Sequence, residues 1–580
     1  MAFVIIAVCY DFSHFHNLSS PESMDAAQLA RNVASGNGYT TRFIRPFSIY
    51  LLRRGPARTS SSVPSSAVVL TNGSQATRFP DVSNPPAYPL LLAGAMKLLP
   101  FHYEIPIVKT DKSSSGYEGF ERYQPDVLIT LINQSLFFCA AVLIFLLACR
   151  LFNASVGWAV GIALIGMEVF WKFSVSGTSV IFLLLIVTGI LCLAVVLGQT
   201  LESKAFAIPW LGMTRIQKTK LICLAAALGL LTGIGCLTHY SFALVIVPVV
   251  VFLALAKRTS RVPLCLSASL AFIFTILPWL ARNCWLTGVP FGTETFALLD
   301  GTSTFPDHLL ERSLSPDLYL VHPAAIASRV VSNLNKVIQH DLANFVGSLT
   351  VGAFLITLLI SFKDRLVRRI QFFIFSLLVT LVISQSLGRT SMIDEASGVS
   401  SENLIVTLFP FTLMYAAGLV FSTLNPLVAR HPWLITSAFA ACFWVSMFSP
   451  WNAPLAYPPY YPPAIQQTAG FMKNDELMMS DIPAAVVWYG NRTCVWLTAD
   501  VRPGIFDTFD SRSPVRGVYF TSQSMGNHSL SDWFREPTNS WSGLIGGIVL
   551  INRVPPDFPL REAPTGYLPE QLFLTDTKRW

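Results

Sequence analysis

Met24-Asp25-Ala26-Ala27-Gln28-Leu29-Ala30-Arg31-Asn32-Val33-Ala34-Ser35-Gly36-Asn37-Gly38-Tyr39 is the first polar stretch after an apolar N-terminus. Ala26, Leu29, Ala30 and Val33 recur at helical spacing, so the stretch predicts a short amphipathic helix with a lone acid near its head. Arg42 and Arg45-Pro46 follow, and then the turn Asn84-Pro85-Pro86-Ala87-Tyr88-Pro89. Ser23-Met24-Asp25 also has the form of a helix N-terminus, so Asp25 has two readings, a cap or a reactive carboxylate near the membrane surface.

The surroundings of this stretch are apolar. Of 580 residues, 52% are hydrophobic and only 13% charged, and the mean hydropathy is +0.53. A soluble globular protein carries about a quarter charged residues, so many side chains here face lipid. A net charge of +7 gives no case for nucleic acid. The ten cysteines mostly sit inside apolar runs, as small hydrophobes, with no zinc or disulfide spacing. The opening apolar run, 1–9, is shorter than the roughly 20 residues a span needs; either the start clips a helix or the helix continues through Tyr10–Phe12.

Apolar runs of spanning length lie near 125–149, 154–173, 178–198, 218–238, 240–256, 262–280, 343–361, 370–388, 403–421 and 432–449. With the first segment they predict about eleven spans. Basic residues gather in alternate loops: Arg150; Lys204, Arg215, Lys218 and Lys220; Lys257, Arg258 and Arg261; Lys363, Arg365, Arg368 and Arg369; and Arg430. The positive-inside rule puts these loops in the cytoplasm and segments 11–124, 281–342 and 450–580 on the opposite side. Helix 85–99 is read as lying along that outer interface.

After residue 449 the apolar runs shorten to strand length, at Leu477–Met479, Cys494–Leu497, Gly517–Thr521, Gly547–Ile551 and Gln571–Leu574, with helical stretches at 463–473 and 482–490. The prediction is a polytopic α-helical membrane domain, 1–449, and a C-terminal extracytoplasmic α/β domain, 450–580. The latter is entered through the stiff Tyr457-Pro458-Pro459-Tyr460-Tyr461-Pro462-Pro463.

The acid-headed helix, the arginines and the Pro-Pro-x-Tyr-Pro turn resemble the first loop of GT-C glycosyltransferases, the group of protein O-mannosyltransferases and bacterial aminoarabinose transferase. The family pattern is Asp-Glu; here Ala26 stands in the Glu position and only the Asp is retained. Pro278-Trp279-Leu280-Ala281-Arg282-Asn283, followed by Gly288-Val289-Pro290-Phe291-Gly292, is similar to a segment that many bacterial members carry. Ser480-Asp481-Ile482-Pro483 through Trp488-Tyr489 resembles a stretch of their C-terminal domains, with Asp481 as a helix cap and the aromatics as core packing or a sugar platform.

The resemblance implies transfer of a sugar from a polyprenyl-phosphate-linked donor to a lipid, glycan or protein acceptor, on the outer face of a bacterial inner membrane. Such chemistry needs a base for the acceptor proton and cations for the departing phosphate. It implies Asp25 as base, with Asp11 as runner-up, and Arg42, Arg45, Arg282, His239 and Tyr88 as the substrate-binding set. Where relatives have an arginine before the tenth span, this chain has Glu402-Asn403-Leu404, and Arg389 is the substitute candidate. No cofactor is implied with certainty, and a divalent metal is left open. The rival readings are a transporter or flippase of lipid-linked sugars, and a catalytically silent scaffold of the same fold.

Overall fold

The computed structural model describes residues 1–56, 79–105, 120–203, 213–255, 261–306, 308–342, 345–360, 362–388, 399–400, 402–424, 430–445, 447, 460–499, 515–521, 541, 544–545, 548, 554, 558–564 and 571–580. Lys204, Lys257, Arg258, Arg389, Tyr457–Pro459 and most of the run at 547–551 lie outside them.

The chain opens with α1 (Ala2–His14) and α2 (Pro21–Ala34), then β1 (Thr40–Thr41), β2 (Phe43–Ile44) and α3 (Pro46–Arg54). β3 (Phe79–Pro80) and α4 (Ala87–Leu98) complete the first polar segment. The apolar bundle runs through α5 (Gln124–Leu151), α6 (Ala154–Gly166), α7 (Glu168–Val175), α8 (Val180–Glu202), α9 (Arg215–Cys236), α10 (Ile246–Ala254) and α11 (Arg261–Thr287). It continues through α12 (Pro323–Lys336), α13 (Phe345–Leu358), α14 (Arg365–Leu387), α15 (Phe409–Thr423) and α16 (Pro432–Trp444). The C-terminal part adds α17 (Pro462–Gly470), β4 (Leu477–Ser480), α18 (Pro483–Gly490), β5 (Thr493–Trp496), β6 (Val515–Phe520) and β7 (Leu572–Thr575).

Among the described residues six helices are long and apolar enough to cross a membrane: α5, α8, α9, α11, α14 and the continuous Leu404–Thr423. These make the protein an integral membrane protein. α6 and α7 count as a seventh span only together, because they meet at a 53° bend. The run at 154–173 is unbroken in sequence, but Met167 takes an extended backbone between the two helices. The remaining runs of the expected eleven form helices too short to span by length alone, such as Pro432–Trp444.

Burial separates central helices from peripheral ones. The apolar stretch of Leu404–Thr423 is 89% buried, whereas that of α11 is 22% buried and turns Leu266, Leu270, Ile273 and Phe274 outward. An apolar face of that extent is stable only against lipid or another chain. α9 and α11 pack closely because Gly229 and Gly233 present a side-chain-free groove. A Cβ at Gly229 would lie 2.0 Å from the Ala268 carbonyl oxygen.

The two ends of the bundle differ. Arg150, ending α5, bonds Gln199 near the end of α8, and Arg369, near the start of α14, lies 3.8 Å from Glu202. Arg150 and Arg369 therefore lie at one end of the bundle. The opposite end carries the sheet and the polar cleft.

That sheet has the order β2-β5-β4-β6-β7. Its strands β2, β5, β4 and β6 are parallel, and β7 is antiparallel to β6. β4, α18 and β5 form a β-α-β unit, as parallel neighbours require a crossover. β2 comes from the first polar segment, with Phe43 opposite Cys494. One core joins the two regions, combining Met24, Ala27 and Ala30 of α2 with Tyr88 and Leu92 of α4 and Val486 and Trp488 of α18. α2 is thus packed between α4 and α18, with Glu22 and Ala26 half-buried.

Candidate functional site

Asp25 sits in the second turn of α2, not at its cap. Ser20 is the N-cap, its hydroxyl accepting from the Ser23 N–H, and Pro21 occupies the first turn. Ser-Pro is the stronger N-terminal signal because proline has no N–H to leave unsatisfied there. This corrects the capping reading and leaves Asp25 facing inward with no solvent exposure.

Three side chains donate to its carboxylate. Gln28 Nε2 reaches Oδ1 at 2.9 Å, and Arg45 Nη2 and Asn84 Nδ2 each reach Oδ2 at 2.8 Å. Gln28 is placed by helical spacing, three residues on from Asp25. Its amide also donates to Thr41 Oγ1, and Asn32 and the Arg42 backbone N–H donate to its oxygen.

Arg45 precedes α3 and is 4% exposed, its guanidinium 4.1 Å from the Phe43 ring centre and 3.9 Å from Glu311. Burial works against its charge, but the carboxylates of Asp25, Glu311 and Asp81 more than offset that and raise it above the ordinary arginine value.

Asn84 links Asp25 to a second buried acid. Its amide nitrogen also donates to Asp81 Oδ2 at 3.1 Å, and the backbone N–H groups of Ser83 and Asn84 close an Asx turn on Asp81 Oδ1. Arg282 holds this turn from behind. It donates to the Asp81 carbonyl at 2.9 Å and to the Tyr39 carbonyl at 3.3 Å, with its guanidinium over Trp279. Gly292, at φ +56°, passes so close to Val82 that a Cβ would sit 1.9 Å from its carbonyl oxygen. The Pro278–Gly292 segment thus braces the Asp81–Asn84 turn.

In front of Asp25 lies a partly open cleft of about 100 Å³. Its walls include Glu22, Ser23, Ala26, Arg45, Asn84, Tyr88, His239, Tyr240, Glu294 and Glu402. Asp25 is one layer behind, and Ser23, Ala26, Arg45 and Asn84 form the wall. Oδ1 holds a single donor and keeps acceptor capacity.

The expected site residues divide. Arg45, His239 and Tyr88 come together at the cleft, although Tyr88 turns its hydroxyl to the Gly177 carbonyl and Asn133. His239 Nε2 lies 3.4 Å from Glu402. Arg42 instead bonds Asn491 across the sheet edge, and Arg282 faces the Asp81 turn. Asp11 is held by Gln134 at 2.6 Å, away from the residues of the cleft wall. Asp481 is not a helix cap: it accepts from the backbone and hydroxyl of Thr521. Trp488 and Tyr489 are buried core aromatics.

Sequence reasoning missed Asp81, Glu311, Glu22 and Glu294. Each is an acid in a polar loop or helix start with no spacing to mark it. Burial is the main cause that pushes the Asp81 carboxyl from 3.8 up to about 6, with Asp25 adding to it and Arg45, the Asn84 N–H and Arg282 opposing. The folded protein therefore holds that proton more tightly than the unfolded chain. Its stabilising contribution is complete below 3.8 and is lost as pH rises through about 6. Thermal stability of the wild type, measured against Asp81→Asn, is expected to fall across that window. Parallel profiles for the two proteins would refute the assignment.

At the level of sequence, no family model and no curated protein matches the chain. Solved structures do match it in fold. The oligosaccharyltransferase of Archaeoglobus fulgidus, in complex with zinc and sulfate, has a TM-score of 0.54 at 10% identity, covering 93% of this chain and 70% of its own. The same organism's AglB, in complex with an inhibitory peptide and a dolichol-phosphate, also scores 0.54, at 11% identity and 93% and 71% coverage. ArnT from Cupriavidus metallidurans, bound to undecaprenyl phosphate, scores 0.53 at 9% identity and covers 99% of this chain and 97% of its own. These neighbours are GT-C glycosyltransferases, and the likeness, at such low identity, shows that the chain has their fold.

Proposed function

We propose that the protein is a membrane glycosyltransferase that moves a sugar from a polyprenyl-phosphate-linked donor to an acceptor at the membrane face where the cleft opens. The observation that carries this reading is the Asp25–Arg45–Asn84 constellation behind the wall of an open cleft on a GT-C scaffold. Neighbours of the same fold that hold a dolichol-phosphate or undecaprenyl phosphate support a lipid-phosphate donor.

In this reading the cleft wall at Ser23 and Ala26 yields to the bound acceptor, whose hydroxyl then gives its proton to Asp25 Oδ1 while its oxygen attacks the anomeric carbon. The bond from that carbon to the phosphate oxygen breaks, and the polyprenyl phosphate leaves with the electron pair, so the anomeric centre inverts. Arg45, at the cleft wall, faces the growing phosphate charge, where a guanidinium fork is suited to bind.

We assign the protein to a bacterial inner membrane with residues 450–580 outside. The clustering of Arg150 and Arg369 at the bundle end remote from the cleft supports this orientation. Lys473, exposed in the C-terminal part, serves as the probe of this orientation. Lys473→Cys is expected to react with an outside-only thiol reagent on intact cells, and labelling only after permeabilisation would invert the topology.

The function itself is tested by incubating purified protein with lipid-linked sugar and following donor consumption and product. Movement of intact donor across vesicles without cleavage would point to a transporter. The complete burial of Asp25 favours a second reading, a silent scaffold of the same fold, which predicts folded protein with no turnover of any lipid-linked donor.

A further inference from the structure

We infer that the Arg45 guanidinium is the resident cation of the Asp25 site, standing where a divalent metal would otherwise sit, and that the cleft operates without one. A metal ligand must turn a lone pair toward the ion at about 2.0–2.6 Å. Asp25 Oδ2 already receives Arg45 and Asn84, both at 2.8 Å, and Oδ1 receives Gln28. An ion on Oδ2 would have to displace the guanidinium, and one on the remaining lone pair of Oδ1 would share the same carboxylate with it, two like charges in a buried setting.

The neighbouring acids do not complete a metal set. Asp81 spends its oxygens on the Ser83 and Asn84 N–H groups and the Asn84 amide, and Glu311 lies by Arg45 Nε at 3.9 Å. Among the described residues, no three His, Cys, Asp or Glu side chains come together as metal ligands. Arg45 is also fixed from behind, over the Phe43 ring of a strand paired in the sheet. Asp25, Asp81 and Glu311 thus surround a cation that the chain itself supplies.

The test uses full-length protein in detergent or nanodiscs, with Mn²⁺ as the probe. Its activity arm rests on the transferase reading, and its binding arm does not. The wild type is expected to show no Asp25-dependent Mn²⁺ signal by electron paramagnetic resonance, and no change in melting temperature or transfer rate on adding EDTA. Arg45→Gln removes the cation shared by Asp25, Asp81 and Glu311, while Gln28 and Asn84 still donate to Asp25 and the Asx turn still holds Asp81; the variant is expected to bind Mn²⁺ at least about tenfold more tightly than the wild type and to gain thermal stability from it. Arg45→Lys, which keeps the charge, is expected to stay indifferent to Mn²⁺.

The inference is overturned by a wild-type Mn²⁺ signal that vanishes in Asp25→Asn, by transfer lost in EDTA and restored by Mn²⁺, or by Arg45→Gln binding Mn²⁺ no better than wild type. If no transfer is observed under any condition, the proposed function fails, and the Mn²⁺ comparison still decides the question of the cation.

Discussion

Asp25→Asn is expected to cut single-turnover transfer from a lipid-linked sugar by about 10²–10⁴-fold, the usual cost of losing a positioned general base. It is also expected to lower stability. The amide must turn an N–H toward one of the donors Gln28, Arg45 or Asn84, and the buried Arg45 loses its 2.8 Å counter-ion. Breaking a buried pair from one side costs about 3–5 kcal/mol, although Glu311 at 3.9 Å remains to hold part of the charge. The rate is therefore to be measured per folded molecule, with the native fraction followed by thermal melting. Asp11→Asn is the control, since Asp11 bonds Gln134 away from the cleft wall, and it is expected to retain most of the transfer rate. Near wild-type transfer by Asp25→Asn would remove Asp25 from the chemistry and leave it the structural centre of its hydrogen-bond network.

The reach of the sequence can be judged residue by residue. The acid-headed helix was legible because apolar spacing marks a helix whatever packs on it. Its cap lies at Ser20-Pro21 and not at Ser23-Met24-Asp25, because proline, which has no N–H to leave unsatisfied, fixes the first turn there. Strands β4 to β7 announce themselves as short apolar runs. β2 does not, since two residues carry no periodicity and Phe43-Ile44 becomes a strand only when β5 lies beside it. Arg42, Arg45 and Arg282 were legible as cations near a site, but not their directions. One grips Asn491, one Asp25 and one the Asp81 turn, and those choices are made by tertiary contacts. The bend at Met167 and the short helices of the bundle are hidden for a related reason. Hydropathy reports that a run is apolar, not whether it stays one straight helix.

Asp126→Ala is expected to be the most destabilising change at the junction between the bundle and the sheet. Asp126 begins α5, has no solvent exposure, and ties three regions together. Its Oδ1 accepts from Trp488 Nε1 at 2.8 Å, and its Oδ2 accepts from the Tyr489 hydroxyl at 2.8 Å and the Leu18 N–H at 3.1 Å. Alanine leaves all three donors buried without their acceptor. A buried unsatisfied group costs about 1–3 kcal/mol, and the three together about 3–5 kcal/mol, since partial collapse makes them less than additive. Asp126→Asn keeps one acceptor oxygen and should fall between alanine and wild type. Because α18 presses on α2 through Arg31, whose guanidinium donates to the Val487 and Trp488 carbonyls, loosening Trp488 loosens the helix that carries Asp25. The expected result is a lower melting temperature, faster proteolysis of the C-terminal region and reduced transfer in the same variant. An alanine variant that melts and resists protease like wild type would show that the shared core of α2, α4 and α18 holds the junction without this carboxylate.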